Sequence, residues 1–113
     1  MSQQQPDRTA CIRTLNDAFR STGMGGRFMI TAGVQALGSI RVAALTRQVM
    51  SFSAFSADND PYHEHDFGSL KDAGQTFFWK IDYYDKTLEY GSPDPADPAV
   101  TTRILTLMLA EEY

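Results

Sequence analysis

The sequence predicts an α+β domain in which three helices pack on a small, mainly antiparallel sheet of three or four strands. Two segments in the first half have apolar residues at helical spacing, as at Ile12, Leu15 and Phe19. Residues 75–84 instead alternate with a period of two, which is typical of a half-buried strand. Near the C-terminus, Asp97 and Pro98 precede a third apolar segment in the order that favours a helix start.

The three helices are expected over residues 9–22, 40–52 and 97–111. Thr9 and Ser39 are the predicted N-caps of the first two, and the glycines after Thr22 end the first helix because glycine adopts the left-handed conformation easily. The third helix has an apolar face so wide that it predicts either deep packing or a homodimer through this C-terminal helix. That face consists of Val100, Ile104, Leu105, Leu107, Met108 and Leu109.

The strands are expected over residues 27–31, 63–70, 75–84 and 88–90. The longest is the predicted central strand, and the residues on its apolar side are Phe77, Trp79, Ile81 and Tyr83. Residues 71–74 have the composition of a hairpin turn, and residues 85–87 that of a second turn. Connections this short predict antiparallel pairing between the last three strands.

Length and composition indicate one domain over residues 9–113 after a flexible N-terminal segment of residues 1–8. Cys11 is the only cysteine, so an internal disulfide is excluded and a reducing compartment is favoured. The first residues resemble no export signal, and no apolar run approaches the roughly 18 residues of a membrane span. We therefore expect a cytoplasmic protein that does not enter a membrane.

Charge is distributed unevenly along the chain. Residues 1–57 carry six arginines and two aspartates, a formal charge of +4, whereas residues 58–113 carry four basic and twelve acidic residues, a formal charge of −8. The arginines either solvate the outer faces of the helices or form a binding face. A binding face of arginines could contact nucleic acid directly. This is less favoured than a protein partner, because the acidic half opposes a broad basic footprint. The arginines are Arg8, Arg13, Arg20, Arg27, Arg41 and Arg47.

The densest group of ionisable residues lies between Asn59 and Gly68. A possible functional block consists of Asp60, Tyr62, Glu64, His65 and Asp66. On a strand, His63 and His65 would share a face and could chelate a metal with Asp60 or Asp82, but a regularly spaced ligand set is missing. On that strand the neighbours of His65 would point away from it, which weakens acid–base chemistry. We therefore assign no catalytic residue, metal or cofactor, and expect His65 to be a partly buried structural residue.

A second possible functional region is an acidic, aromatic face in the second half, which holds all five tyrosines. Its residues are Tyr84, Asp85, Glu89, Tyr90, Asp94 and Asp97. Tyrosine suits interfaces because its rigid ring buries a large area while its hydroxyl still forms hydrogen bonds. Acidic residues around it would attract a basic protein partner.

Several motifs together resemble an uncharacterised bacterial family, domain-of-unknown-function family 3768. They are the runs 59–62, 64–68, 78–85, 91–95 and 101–103. The resemblance implies an origin on alphaproteobacterial chromosomes or plasmids, and hence mobile-element biology that includes counter-defence. It also implies a small residue where this chain has His63, which further weakens a metal site.

The function predicted from these observations is that of a non-enzymatic protein-binding domain acting through an acidic surface. The family resemblance adds the expectation of a counter-defence role of the anti-CRISPR or antirestriction type. The alternative is a small enzyme or ligand-binding domain with its site around His65, Glu64 and Asp66.

Overall fold

The chain forms three helices and a four-stranded sheet in a computed structural model that describes residues 7–113. The α+β class is thereby confirmed. The helices are α1 (Arg8–Thr22), α2 (Ala32–Gln35) and α3 (Ser39–Met50), and the strands are β1 (Gly26–Ile30), β2 (Phe67–Asp72), β3 (Gln75–Tyr84) and β4 (Thr102–Leu109). Two short 3₁₀ turns lie at Pro98–Val100 and Ala110–Glu112.

The sheet is mixed, with the strand order β1-β4-β3-β2. Strand β4 runs antiparallel to β3 and parallel to β1, while β2 and β3 form an antiparallel hairpin. The prediction of a mainly antiparallel sheet is therefore wrong. The reason is that β4 lies between β3 and β1. The parallel pairing of β1 with β4 joins segments that are far apart in the chain, so no short connection predicts it.

Helices α1 and α3 lie close to their predicted ranges. Asp7 rather than Thr9 caps α1, accepting a hydrogen bond from the Thr9 amide, and Gly23 ends the helix with a φ of 77°. Helix α3 begins at Ser39 and has no side-chain cap. Residues 1–6 of the predicted flexible segment 1–8 lie outside the described residues, and Arg8 is the first residue of α1. The short helix α2 was not predicted from the sequence.

The hairpin of β2 and β3 agrees with the prediction from alternation. Strand β3 spans the expected ten residues, and Phe77, Trp79 and Ile81 are buried on its inner face. Ala73 and Gly74 form the turn with φ angles of 50° and 79°, the left-handed conformations that a tight hairpin requires. Strand β3 is an inner strand of the sheet, as expected.

The C-terminal helix predicted over residues 97–111 is wrong, because this segment forms strand β4. Burial along it alternates, with Arg103, Leu105 and Leu107 on the buried side. An inner strand is apolar on much of both faces, and such a run cannot be told from a buried helix by periodicity alone. The homodimer hypothesis assumed a C-terminal helix, and this segment is a strand instead.

Two other strand predictions need correction. The segment predicted as the strand 63–70 is extended only from Phe67 onward, since His63 and His65 have φ angles of 61° and 55°. The segment 88–90 is part of a turn in which Leu88 has a φ of 61°, and only the pair Tyr84 and Gly91 forms a bridge there. Left-handed residues interrupt both segments, and the side-chain pattern does not report that conformation.

One buried cluster joins residues of all three helices to the inner face of the sheet. Its helical members are Phe19, Val34, Leu45 and Val49, and its strand members are Leu70, Phe77, Trp79, Ile81, Leu105 and Leu107. Among residues 7–113, no helix is both long and apolar enough to cross a lipid bilayer.

Candidate functional site

Helix α1 presents a polar face to the loop between α3 and β2. Arg13, Asn16 and Arg20 donate to the backbone carbonyls of His63, Glu64 and Phe52 over 3.0, 2.9 and 3.1 Å. These helical residues are spaced at i, i+3 and i+7, so they lie along one side of the helix. The loop that carries the possible functional block is therefore held to α1 by side-chain-to-backbone bonds.

His65 lies between two carboxylates at the centre of this contact. Its Nδ1 is 2.9 Å from Asp17 Oδ1, and its Nε2 is 3.5 Å from Asp60 Oδ2. Its ring also stacks on Phe55, with centroids 3.7 Å apart and planes only 3° from parallel. The Nδ1 contact with Asp17 is a hydrogen bond, whereas the Nε2 contact with Asp60 is only within ion-pair distance. The expectation that His65 is partly buried is confirmed, and its side chain bonds to an acidic residue.

Arg20 extends the same network toward the core. The guanidinium is buried, contacts Asp17 over 3.0 Å, and lies 5.3 Å from the ring centroids of both Phe55 and Trp79. Its Nε and the Trp79 indole nitrogen have no hydrogen-bond partner among the described residues. The sequence analysis expected Arg20 on the solvated side of α1, and no pattern signalled its burial.

A second polar network joins α1 to the strands through Asn16. Arg103 Nε donates to Asn16 Oδ1 over 2.6 Å, and the Asn16 amide donates to the Tyr83 hydroxyl over 2.8 Å. Tyr83 in turn donates to Glu64 Oε1 over 2.8 Å, and Arg103 Nη2 donates to the Pro95 carbonyl over 2.6 Å. Burial raises the pKa of Tyr83 and lowers that of Arg103, because it disfavours the charged form of each.

The side chains of the possible functional block divide among three environments. Asp60 and His65 contact each other, whereas Glu64 belongs to the Tyr83 network. Asp66 and Tyr62 line a shallow depression of about 410 Å³. Burial and the neighbouring Glu64 carboxylate raise the pKa of Asp66 above its ordinary value of 3.8. The structure thus does not bring Glu64, His65 and Asp66 together around one point.

The geometry assumed for a two-histidine metal site is absent. His63 and His65 have left-handed backbone conformations and do not share the face of a strand. Within residues 7–113, no group of three or more histidine, cysteine, aspartate or glutamate side chains is arranged to hold a metal ion.

Several acidic residues of the predicted interaction face have local roles. Asp94 pairs with Arg8 over 3.1 Å, Asp97 caps the 3₁₀ turn, and the Asp85 carboxylate accepts from Thr87 Oγ1 and the Glu89 amide. The other members, Tyr84, Glu89 and Tyr90, differ in exposure: Tyr84 is half-buried, and Glu89 and Tyr90 are exposed.

Four of the six arginines bind groups within the protein. Arg8 and Arg41 pair with Asp94 and Asp72, while Arg13 and Arg20 bind backbone carbonyls. Arg27 and Arg47 are exposed on β1 and α3, which are separate elements.

A groove that was not predicted from the sequence lies on the outer face of the sheet. It has a volume of about 470 Å³ and is lined by residues that include Met29, Lys80, Asp82, Ile104 and Thr106. One signal for this face was present in the sequence, the alternation along β4. Ile104, Thr106 and Met108 alternate with Leu105 and Leu107, but the segment was predicted to be a helix. One end is fixed by Glu112, whose carboxylate accepts from Thr31 Oγ1 and the Leu109 amide.

A family model described as "Protein of unknown function (DUF3768)" matches residues 30–112, which include every strand residue from Ile30 onward. The searches of curated proteins and of solved structures returned no match. Because the matched region covers more than half of the sequence, the chain belongs to the DUF3768 family of proteins of unknown function.

Proposed function

We propose that this chain is a non-enzymatic protein-binding domain that contacts a basic partner through the loop of residues 85–91, here called the tyrosine loop. The observation that carries the proposal is Tyr90, a tyrosine 72% exposed beside the exposed acidic side chain of Glu89. An exposed tyrosine on a rigid support is a favourable anchor, because little conformational entropy is lost when it is buried.

The tyrosine loop is held in one conformation by its own bonds. The Asp85 carboxylate accepts from the Glu89 amide over 3.1 Å, and the Asp85 amide donates to the Tyr90 carbonyl over 2.8 Å. Tyr84 and Gly91 pair at its base. Glu89 and Tyr90 take part in these contacts through backbone atoms, so their side chains remain free to contact a partner.

Backbone strain at the tip supports the same proposal. Leu88 has a φ of 61°, which is uncommon for a residue other than glycine, asparagine or aspartate. Its apolar side chain is also 36% exposed. Strained backbone at an exposed apolar residue is characteristic of functional loops, because the fold maintains it at a cost.

The charge around the tyrosine loop favours a basic partner. Residues 84–97 carry four acidic residues and one lysine, a net charge of −3. Asp94 contributes least, since Arg8 neutralises it. A basic groove of a nucleic-acid enzyme has the matching charge, and this is the form that a counter-defence role would take. Association with such a surface slows as salt screens the attraction.

Binding is favoured over catalysis because the His65 region is internally bonded. Asp17, Glu64 and His65 all have protein partners within 3.0 Å. The raised pKa of Asp66 is the one feature that favours the alternative of a ligand site beside Tyr62. The experiment therefore includes that region as its comparison.

The test compares two double variants with the same chemical change. Glu89→Lys with Tyr90→Ser alters the tyrosine loop. Asp58→Lys with Tyr62→Ser removes Tyr62 from the lining of the depression beside Asp66 and reverses a charge four residues before it. Tyr62 and Tyr90 are 77% and 72% exposed, so the two substitutions remove equally accessible rings. Each folded variant and the parent are used to capture proteins from the native host, and each captured protein is measured by surface plasmon resonance at low and high salt.

We expect a basic protein that binds the parent and the Asp58/Tyr62 variant alike but loses affinity for the Glu89/Tyr90 variant by about 100-fold, as for removal of an interface anchor. Loss of binding only in the Asp58/Tyr62 variant would instead place function at the depression. Equal binding by all three proteins would exclude both surfaces.

A further inference from the structure

The outer face of the sheet carries a partly apolar strip that no helix covers between two borders. Tyr113 packs against Phe67 and Phe78 at one end, with ring centroids 5.9 and 5.6 Å away. Leu88 of the tyrosine loop lines the other end. None of the residues that line the groove between them belongs to α1, α2 or α3.

This strip has the composition of an interface. Met29 on β1 is 52% exposed, and Ile104 and Thr106 on β4 are half-exposed beside it. The register places Met29 next to Thr106 on the neighbouring strand. Sheets bury both faces when a second layer is present, and an uncovered apolar face marks a docking surface.

The pair of opposite charges on β3, Lys80 and Asp82, is self-complementary. Lys80 and Asp82 project from the same face of β3, two residues apart, and their Nζ and Oδ2 atoms are 3.0 Å apart. Their side chains are 40% and 38% exposed, so both can still meet an opposite charge from above. A strongly acidic or strongly basic partner would place a like charge against one of them.

We propose that this face binds a second copy of the chain in a two-fold symmetric homodimer. A two-fold axis lying between the two sheets, perpendicular to β3 at the level of Ile81, reverses the strand direction of the second copy. Lys80 then faces the partner's Asp82, and Asp82 faces the partner's Lys80. In such an interface the same surface of each chain is used, and the two sheets pack face to face about 10 Å apart.

The homodimer is independent of the protein-binding proposal, although Leu88 borders both surfaces. Each chain has a formal charge of −4, so two copies repel one another at low salt. Near physiological ionic strength this repulsion is screened beyond about 8 Å, while the close Lys80–Asp82 contacts persist. Self-association is therefore to be measured near physiological salt.

The test is sedimentation velocity of the full chain from micromolar to millimolar concentration. The variants are Lys80→Glu, Asp82→Lys and the double variant, with Arg47→Glu as control. Arg47 is exposed on α3, outside the outer face, and its substitution changes the net charge by the same amount as Lys80→Glu. Thermal unfolding of each variant establishes that it is folded before its mass is interpreted.

We expect a monomer–dimer equilibrium for the parent and the Arg47→Glu control. Each single reversal raises the dissociation constant by about tenfold or more, because like charges then meet across the axis, and the double variant restores it. An equimolar mixture of the two single variants forms a heterodimer, a result that a bond within one chain does not produce.

Three results would each overturn the proposal. They are a parent that stays monomeric up to millimolar concentration, a single reversal that dimerises as tightly as the parent, and a mixture of single variants that fails to associate. Monomeric behaviour would leave the face to a different protein.

Discussion

Arg103 on β4 donates to Asn16 on α1 over 2.6 Å, and this bond connects the inner part of the sheet to the first helix. Both side chains are buried. No carboxylate hydrogen-bonds to the guanidinium among the described residues, since its Nε and Nη2 bond to the amide oxygen of Asn16 and the carbonyl of Pro95. A buried arginine held by neutral oxygens depends strongly on each of them, because its charge cannot be solvated.

We therefore expect Asn16→Ala to lower the free energy of unfolding by about 3 kcal/mol, since it leaves Arg103 Nε without a partner and removes a donor from the Tyr83 hydroxyl. Urea unfolding measures the change. Thr14→Ala, at an exposed position of the same helix, is the control and should alter stability by less than about 0.5 kcal/mol. Equal effects of the two substitutions would show that the network does not stabilise the fold.

The approach of β2 to Trp79 gives a second prediction. A methyl group added at Gly68 would overlap the indole ring of Trp79, which is fully buried on the paired strand. Gly68→Ala should therefore cost about 1–3 kcal/mol by overpacking and change the near-ultraviolet circular dichroism of Trp79. Gly91→Ala is the matched control, because its added carbon would lie 3.9 Å from the nearest atom, the Tyr83 carbonyl oxygen. An unchanged Gly68→Ala protein would mean that the indole can move aside.

The elements predicted correctly from the sequence are those that local residue patterns determine. The strict alternation of β3 and the left-handed Ala73-Gly74 turn depend on local chemistry, and so does the glycine that ends α1. The prediction for β4 was wrong because the inner face of this strand carries Arg103 among apolar residues. Ile104 and Met108 make its outer face apolar too. With neither face clearly polar, the period of two is hidden, and the cap at Asp97 favoured a helix.

The candidate site was harder to predict because it depends on contacts between distant segments. His65 and Asp17 are 48 residues apart in the chain. The pairing also needs left-handed conformations at His63 and His65, which single-residue preferences do not reveal. The sequence predicted a structural role for His65 but not for Asp17, since an aspartate on an amphipathic helix is ordinarily a solvated residue.

His65 should stabilise the fold through its ring rather than through its backbone. We expect His65→Ala to cost about 2 kcal/mol, because it removes the contacts with Asp17 and Asp60 and the stack on Phe55. His63→Ala is a close control, since His63 is exposed and has a nearly equal left-handed φ, so both substitutions place alanine in the same strained conformation. The difference between the two urea midpoints isolates the ring contacts, and a difference near zero would contradict their importance.

Asp66 should destabilise the folded protein at neutral pH. Burial and the Glu64 carboxylate raise its pKa above 3.8, so the folded state binds its proton more tightly than the unfolded state does. Stability therefore falls as pH rises from about 3.8 through the folded pKa, and above that pKa the whole cost is present. Asp66→Asn removes the charge and should raise the free energy of unfolding at pH 7 by up to about 1 kcal/mol, a bound that allows for water around a half-buried carboxylate.

The pH dependence of that gain separates the charge of Asp66 from other effects of the substitution. Urea unfolding of the parent and of Asp66→Asn from acid to neutral pH should give curves that converge below the ordinary aspartate pKa of 3.8, where the parent is protonated in both states. Asp58→Asn, at an exposed position of the same loop, should follow the parent throughout. A gain that is constant with pH, or a variant less stable than the parent at pH 7, would contradict the electrostatic explanation.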